Sequence, residues 1–266
     1  METFKIVGIG IILVATCIEL PIIISHTRDK NLVKDTKSNI LLGIVYFLTD
    51  LLVKTMAFGV FSLCYHYSVF KPELSWWLWV VGFVACDFVH YIYHLLGHKT
   101  RILWASHVTH HSSEYFNMSH GYRINFFQSF YRFLFWTPLC FLGIPPVMVL
   151  FHYTFSSIQN FLVHTEKVGK LGVLDWIFNT PSNHRVHHGT NPEYLNKNMG
   201  AVLMIFDHLF GTYSKEEDPA VYGITHPIHT NDPYKIIMHE YIRVIKELSK
   251  INGISSKLRY LFSPPD

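Results

Sequence analysis

The chain has 266 residues, half of them hydrophobic, 16% aromatic and only 15% charged. Soluble domains carry about 25% charged residues, so lipid is expected to solvate much of this surface. A net charge of +3, with no basic stripe interleaved with aromatics, argues against a nucleic-acid partner. The four cysteines, Cys17, Cys64, Cys86 and Cys140, lie in apolar runs without C-x-x-C spacing, which argues against a disulfide scaffold or thiolate zinc site.

The first apolar run, Phe4 to Ile24, is long for a signal sequence and has no small-x-small cleavage site, so it predicts a membrane helix. A polar, basic loop follows over residues 25–38, with Arg28, Lys30, Lys34 and Lys37. The second run, Ile40 to Tyr65, contains Asp50 and Lys54. The third, Trp76 to Leu96, opens with Trp76, Trp77 and Trp79, which suit a membrane–water interface. The fourth, Phe126 to Val163, is too long for one pass, and Pro138, Gly143, Pro145 and Pro146 break it into a helical hairpin. Residues 165–266 read as a soluble cap with an amphipathic helix over Tyr234 to Leu248.

The chain is therefore expected to be all-α, an integral, multi-pass membrane bundle with a helical cap. Three segments are expected: membrane helices and loops over 1–85, a histidine-rich catalytic domain over 86–230, and an amphipathic cytosolic tail over 231–266. The loop at 25–38 and the segments 97–124 and 165–215 carry most of the basic loop residues. The positive-inside rule then places the cap on the cytoplasmic side.

Histidine is the unusual residue, at 18 copies. His94 and His98 have H-x-x-x-H spacing. His107, His110 and His111 have H-x-x-H-H spacing, and His184, His187 and His188 repeat it. Positions i, i+3 and i+4 share a helix face, so each box can offer several imidazoles to one ion. A lone histidine is usually structural, but three such boxes point to metal ligation by neutral imidazole. Eight ligands, or nine with the isolated His164, fit two ions of about four or five ligands each. Ligand type leaves iron, zinc, copper and nickel open, and zinc can replace iron in purified protein.

Four residues beside the boxes have both a functional and a structural reading. Asp87 lies inside an apolar run, two helical turns before His94, where it can hold a ligating imidazole or a helix contact. Glu166 and Glu114 carry the same choice, with surface solvation favoured for Glu114. Asn160 can orient metal-bound water or a ligand. His90, one turn before His94, is a weaker ligand candidate; His120 reads as structural.

The flanks of the boxes carry a resemblance. Asp87 through His98, then Leu103-Trp104-x-x-His107-x-x-His110-His111-Ser112, then Asn179-Thr180-Pro181-Ser182-Asn183-His184-Arg185-Val186-His187-His188-Gly189, resemble the fatty acid hydroxylase / sterol desaturase superfamily. So do Asn198-Met199-Gly200 and Asp207-His208-Leu209-Phe210-Gly211-Thr212. His164-Thr165-Glu166 and Tyr222-Gly223-Ile224-Thr225-His226-Pro227 look like its alkylglycerol monooxygenase branch.

The resemblance implies a four-helix membrane scaffold under a cytosolic cap, a di-iron centre, and dioxygen acting on a lipid. It implies that His94, His98, His107, His110, His111, His184, His187 and His188 are ligands, with His164 the ninth, and the family context suggests that Asp207 pairs with Arg185 to brace the third box. The family often has tyrosine at the position of His90 and arginine at that of Leu95; Asn183, His208 and Val168 also depart from it. No dinucleotide fingerprint follows a strand, so an external electron donor is expected: a ferredoxin, a cytochrome or, for this branch, a reduced pterin. Desaturation or sterol oxidation is the neighbouring alternative. A metal transporter is disfavoured, because the boxes cluster at helix ends rather than at the bilayer midplane.

Overall fold

The structure, a computed structural model, describes Glu19 and residues 29–265. The first apolar run lies outside the described residues except for Glu19, whose carboxylate accepts a hydrogen bond from the Thr165 hydroxyl. Among the described residues there is no strand, only two isolated antiparallel bridges, Phe178 with Leu203 and Gly189 with Tyr222.

Helix α1 spans Lys30–His66, and Asp29 caps it by accepting from the Asn31 and Leu32 amides at 2.8 and 3.2 Å. It starts ten residues before the apolar run. Lys30, Lys34 and Lys37 are exposed at helical spacing while Asp35, Thr36, Ser38 and Asn39 are buried. Residues 30–38 of the segment expected to be a basic loop are thus helical, with their polar face packed inward. From Ile40 to Leu63 the exposed face of α1 is apolar.

Helix α2 spans Trp76–Lys99, and α3, Arg101–His111, follows after Thr100 alone. Thr100 is extended at φ −131°, ψ 130°, which ends one helix and starts the next in a new direction. Helices α1 and α2 are long and apolar enough to cross a membrane.

The hairpin has an irregular first arm. It comprises α4 (Phe127–Arg132), a 3-10 turn (Phe133–Phe135) and α5 (Thr137–Phe141); α6 (Pro146–Leu162) returns. Its corner needs Gly143, at φ +102°, because a Cβ there would lie 2.4 Å from the Phe70 carbonyl oxygen. Trp136, Tyr153, Cys86 and Phe61 form the core where α1, α2 and the hairpin meet.

The cap holds α7 (Val173–Ile177), α8 (Pro181–His188), α9 (Ile205–Phe210), α10 (Pro233–Lys250) and α11 (Ile254–Phe262). The amphipathic helix expected over 234–248 is α10, which packs Ile236 and Ile237 against Leu42 of α1.

Candidate metal centre

Three helices deliver the boxes. His94 and His98 are buried on the last two turns of α2. The i, i+3, i+4 face of α3 presents His107, His110 and His111. Helix α8 opens with proline at its first position, where no intrahelical N–H is required, and carries His184, His187 and His188. His164 follows α6.

The nine histidines named from spacing and resemblance converge into two groups. His94, His98, His107, His111 and His187 form one, and His110, His164, His184 and His188 the other; within each, the nearest ring nitrogens all lie within 4.8 Å of one another. In the first group, Nε2 of His107 lies 3.1 Å from His94 Nε2, 3.1 Å from His98 Nε2 and 3.2 Å from His111 Nε2. In the second, His164 Nε2 is 3.2 Å from His110 Nε2 and 3.0 Å from His184 Nε2, which is 3.2 Å from His188 Nε2. The groups share a wall: the rings of His111 and His188 stack at 4.4 Å.

The outer nitrogens fix the tautomers of four rings. Nδ1 of His94 donates to the Met199 carbonyl at 2.9 Å, and that of His187 to the Lys197 carbonyl at 3.0 Å. Nδ1 of His110 donates to the Arg123 carbonyl at 3.2 Å, and that of His164 to the Asn160 carbonyl at 2.6 Å. With the proton on Nδ1, each ring turns an Nε2 lone pair inward.

These residues fit metal ions. Imidazole–metal bonds of about 2.0–2.1 Å place neighbouring ligand nitrogens about 3–3.4 Å apart, which matches the observed spacing. Inward lone pairs repel one another unless a cation lies between them. The buried Nε2 of His187 has no hydrogen-bond partner among the described residues, as expected of a ligand atom. Burial, followed by neighbouring imidazoles, holds His107, His110, His111, His164, His184 and His188 well below the ordinary histidine value. Burial also pushes His187 down to about 4 against the Lys197 carbonyl. The rings are neutral, the form that binds metal.

The surrounding polar residues take other places than the sequence suggests. Asp87 holds no imidazole; its two oxygens accept from the Val202 and Leu203 amides at 3.0 Å each. Asp207 does not meet Arg185. It accepts from the Met199 and Gly200 amides at 2.7 and 2.8 Å and from the Thr212 hydroxyl at 2.6 Å. Arg185 pairs instead with Glu216 at 2.6 Å and donates to the Thr165 and Val168 carbonyls. The two aspartates therefore staple the segment 199–203, whose first carbonyl orients His94.

The Asn160 side chain donates to Ser156 within its own helix, so only its carbonyl reaches a ligand, His164. Glu166 is exposed and accepts from the Tyr222 hydroxyl at 3.1 Å; Tyr222 stacks on Phe116 at 4.8 Å, and Phe116 lies against His164 and His188. Glu114 is exposed, 3.6 Å from His229. His90 is buried beside His94, rings 5.7 Å apart, but is in neither group. His120 borders the second group, 4.6 Å from the His188 ring, with its nitrogens on the Tyr115 and His110 carbonyls.

The sequence reading missed Arg123. It is 1% exposed and donates to Asp35, Asn39, Ser112 and the Thr109 carbonyl, while its own carbonyl holds His110. The polar face of α1, spaced by its lysines, was the available signal.

The sequence is similar to those of known proteins. The fatty acid hydroxylase family model matches residues 79–212. The chain is 39% identical over 73% of its length to an alkylglycerol monooxygenase of Xenopus tropicalis and 41% identical, over the same share, to one of Danio rerio; in both cases it covers 44% of the relative. It is 32% identical over 60% of its length to an ornithine lipid hydroxylase of Rhizobium tropici, covering 49% of that protein. The chain thus spans less than half the length of the curated relatives it matches, and no solved structure gives a significant match. With the family model matching half of its length and all three boxes inside the matched region, the chain belongs to the fatty acid hydroxylase family.

Proposed function

We propose that the chain is the catalytic part of a membrane lipid monooxygenase with two iron ions, one in each histidine group. Convergence of the nine imidazoles into groups of five and four supports this most directly. Bound iron would supply dioxygen activation and oxidation of an unreactive C–H bond. The protein's part is geometric and electrostatic. The Met199, Lys197, Arg123 and Asn160 carbonyls fix which nitrogen faces inward. Asp87 and Asp207 keep one of those carbonyls in place. Trp104, against His98 and His111, and Phe116, against His164 and His188, exclude water. Asp87, Asn160 and Glu166 act as positioning groups and not as proton carriers.

The substrate we favour is an alkylglycerol, because relatives 39% and 41% identical to the chain bear the name alkylglycerol monooxygenase. One oxygen atom enters the C–H bond next to the ether oxygen, the other leaves as water with two electrons and two protons from an external donor, and the hemiacetal collapses to an aldehyde and glycerol. A reduced pterin is the favoured donor, with a ferredoxin or cytochrome as alternatives. The boxes face the cytoplasm. The test is anaerobic purification in detergent, iron analysis, then reaction of 1-O-alkylglycerol with dioxygen and tetrahydropterin. Iron in both groups and dioxygen-dependent aldehyde support the proposal. Iron without aldehyde from the ether, but with a hydroxylated ornithine lipid, would move the substrate; absence of metal in folded protein would overturn the centre.

A further inference from the structure

The cap carries an apolar shelf beside the membrane helix. Helices α7 and α9 lie together: Phe178 bridges Leu203, the Met204 amide donates to the Ile177 carbonyl at 2.9 Å, and His208 Nε2 donates to the Trp176 carbonyl at 2.9 Å. Their outer faces expose Val173 (74%), Trp176 (59%), Leu209 (69%) and Phe210 (57%). Contiguous apolar surface of this kind marks an interaction site.

The shelf continues into the lipid-facing side of α2. Phe206 and Phe210 lie 5.1 and 6.3 Å from Phe88. Phe206 closes one side of an open groove of about 490 Å³ whose other walls are Val80, Val81, Val84, Ala85 and Phe88. Length identifies what covers it. The exposed apolar face of α1, from Ile40 to Leu63, is about 35 Å long at 1.5 Å per residue. On α2 it ends at Phe88, beyond which His90, Tyr91, His94 and His98 turn into the protein. From Trp76 to Phe88 is only about 18 Å, well short of a hydrocarbon core of about 30 Å. The shelf meets α2 where its own apolar face stops. Lys167 and Lys170, both exposed, stand just before it, as basic residues do at phosphate headgroups.

We infer that α7 and α9 are immersed in the leaflet on the box side, so that acyl chains and glycerol backbones cover the shelf and complete the lipid-facing surface that α2 leaves short. This does not depend on the proposed reaction.

The test uses the full chain in phosphatidylcholine nanodiscs containing a lipid with a diazirine on its upper acyl chain. Photolysis and peptide mass spectrometry are expected to find adducts on 171–178 and 205–210 as well as on 80–88, with none on 215–220. The double variant Trp176→Glu, Leu209→Glu is expected to lose the shelf adducts and keep those on α2. Hydroxyl-radical labelling of the shelf in place of lipid adducts would overturn the inference. So would protection from both reagents with a cross-link to a second copy or another protein.

Discussion

Arg123 and Asp35 form a buried ion pair at 3.0 Å that ties the loop behind the second box to the first turns of α1. The same arginine offers its carbonyl to His110. Breaking a buried pair by removing one partner costs about 3–5 kcal/mol, because the other charge is left unpaired. Arg123→Met is therefore expected to lower the melting temperature in detergent and deplete metal from the four-histidine group first. Thermal denaturation with metal analysis would show it; an unchanged melt would mean the pair adds nothing to the cap.

Each histidine group is expected to hold its own ion. His164→Ala should reduce iron from about two to about one per chain and abolish turnover, while His66→Ala, outside both groups, should leave iron unchanged. Retention of both ions in the first variant would remove His164 from the ligand set.

Asp207 touches no imidazole, yet its carboxylate holds the amides of Met199 and Gly200. Asp207→Asn replaces one acceptor with a donor facing an N–H. Outer partners of ligands typically contribute about 10–100-fold in metal affinity or activity, and a loss in that range is expected from competition with a chelator. Asp87→Asn should act in the same direction through Val202 and Leu203.

Acid should unfold metal-free protein by way of the boxes. His107, His110, His111, His184 and His188 are held low mainly by burial, and His187 is pushed down to about 4. A histidine depressed in the folded state contributes stability that is present above its unfolded value of about 6.5 and lost as pH falls below it. Chelated protein should therefore keep its stability above about pH 6.5 and lose it progressively towards about pH 4. A stability profile that is flat across that window would contradict neutral, buried rings.

The hairpin corner supplies a test remote from the metals. Gly143→Ala would force a side chain into φ +102° and onto the Phe70 carbonyl. A loss of about 1–3 kcal/mol is expected, visible as a lower melting temperature with iron content unchanged.

The histidines could be read from the sequence because ligation needs side chains, and i, i+3, i+4 spacing places side chains directly. The carbonyls of Met199, Lys197 and Arg123 could not, because any residue supplies a carbonyl. The same blindness explains Asp207: an aspartate beside an arginine-bearing box suggests an ion pair, but its partners are backbone amides. The start of α1 was missed for another reason. Hydropathy marks helices that face lipid, whereas residues 30–39 bury Asp35 and Asn39 against Arg123 and Ser119. Only the helical spacing of the three exposed lysines recorded it.

The segment 199–203 joins two kinds of material. One end orients His94, and the other is fastened to Asp87, seven residues earlier on the same membrane helix. Asp207 ties it in turn to the cap. A helix that tilts to match a thicker or thinner bilayer would carry His94, Asp87 and the stapled segment with it, and would pull on α8 as well, because the Lys197 carbonyl holds His187 and Asn198 donates to the Asn183 carbonyl. The backbone from 197 to 203 would then act as a tie rod, keeping His94 and His187 in register on carbonyls only two residues apart.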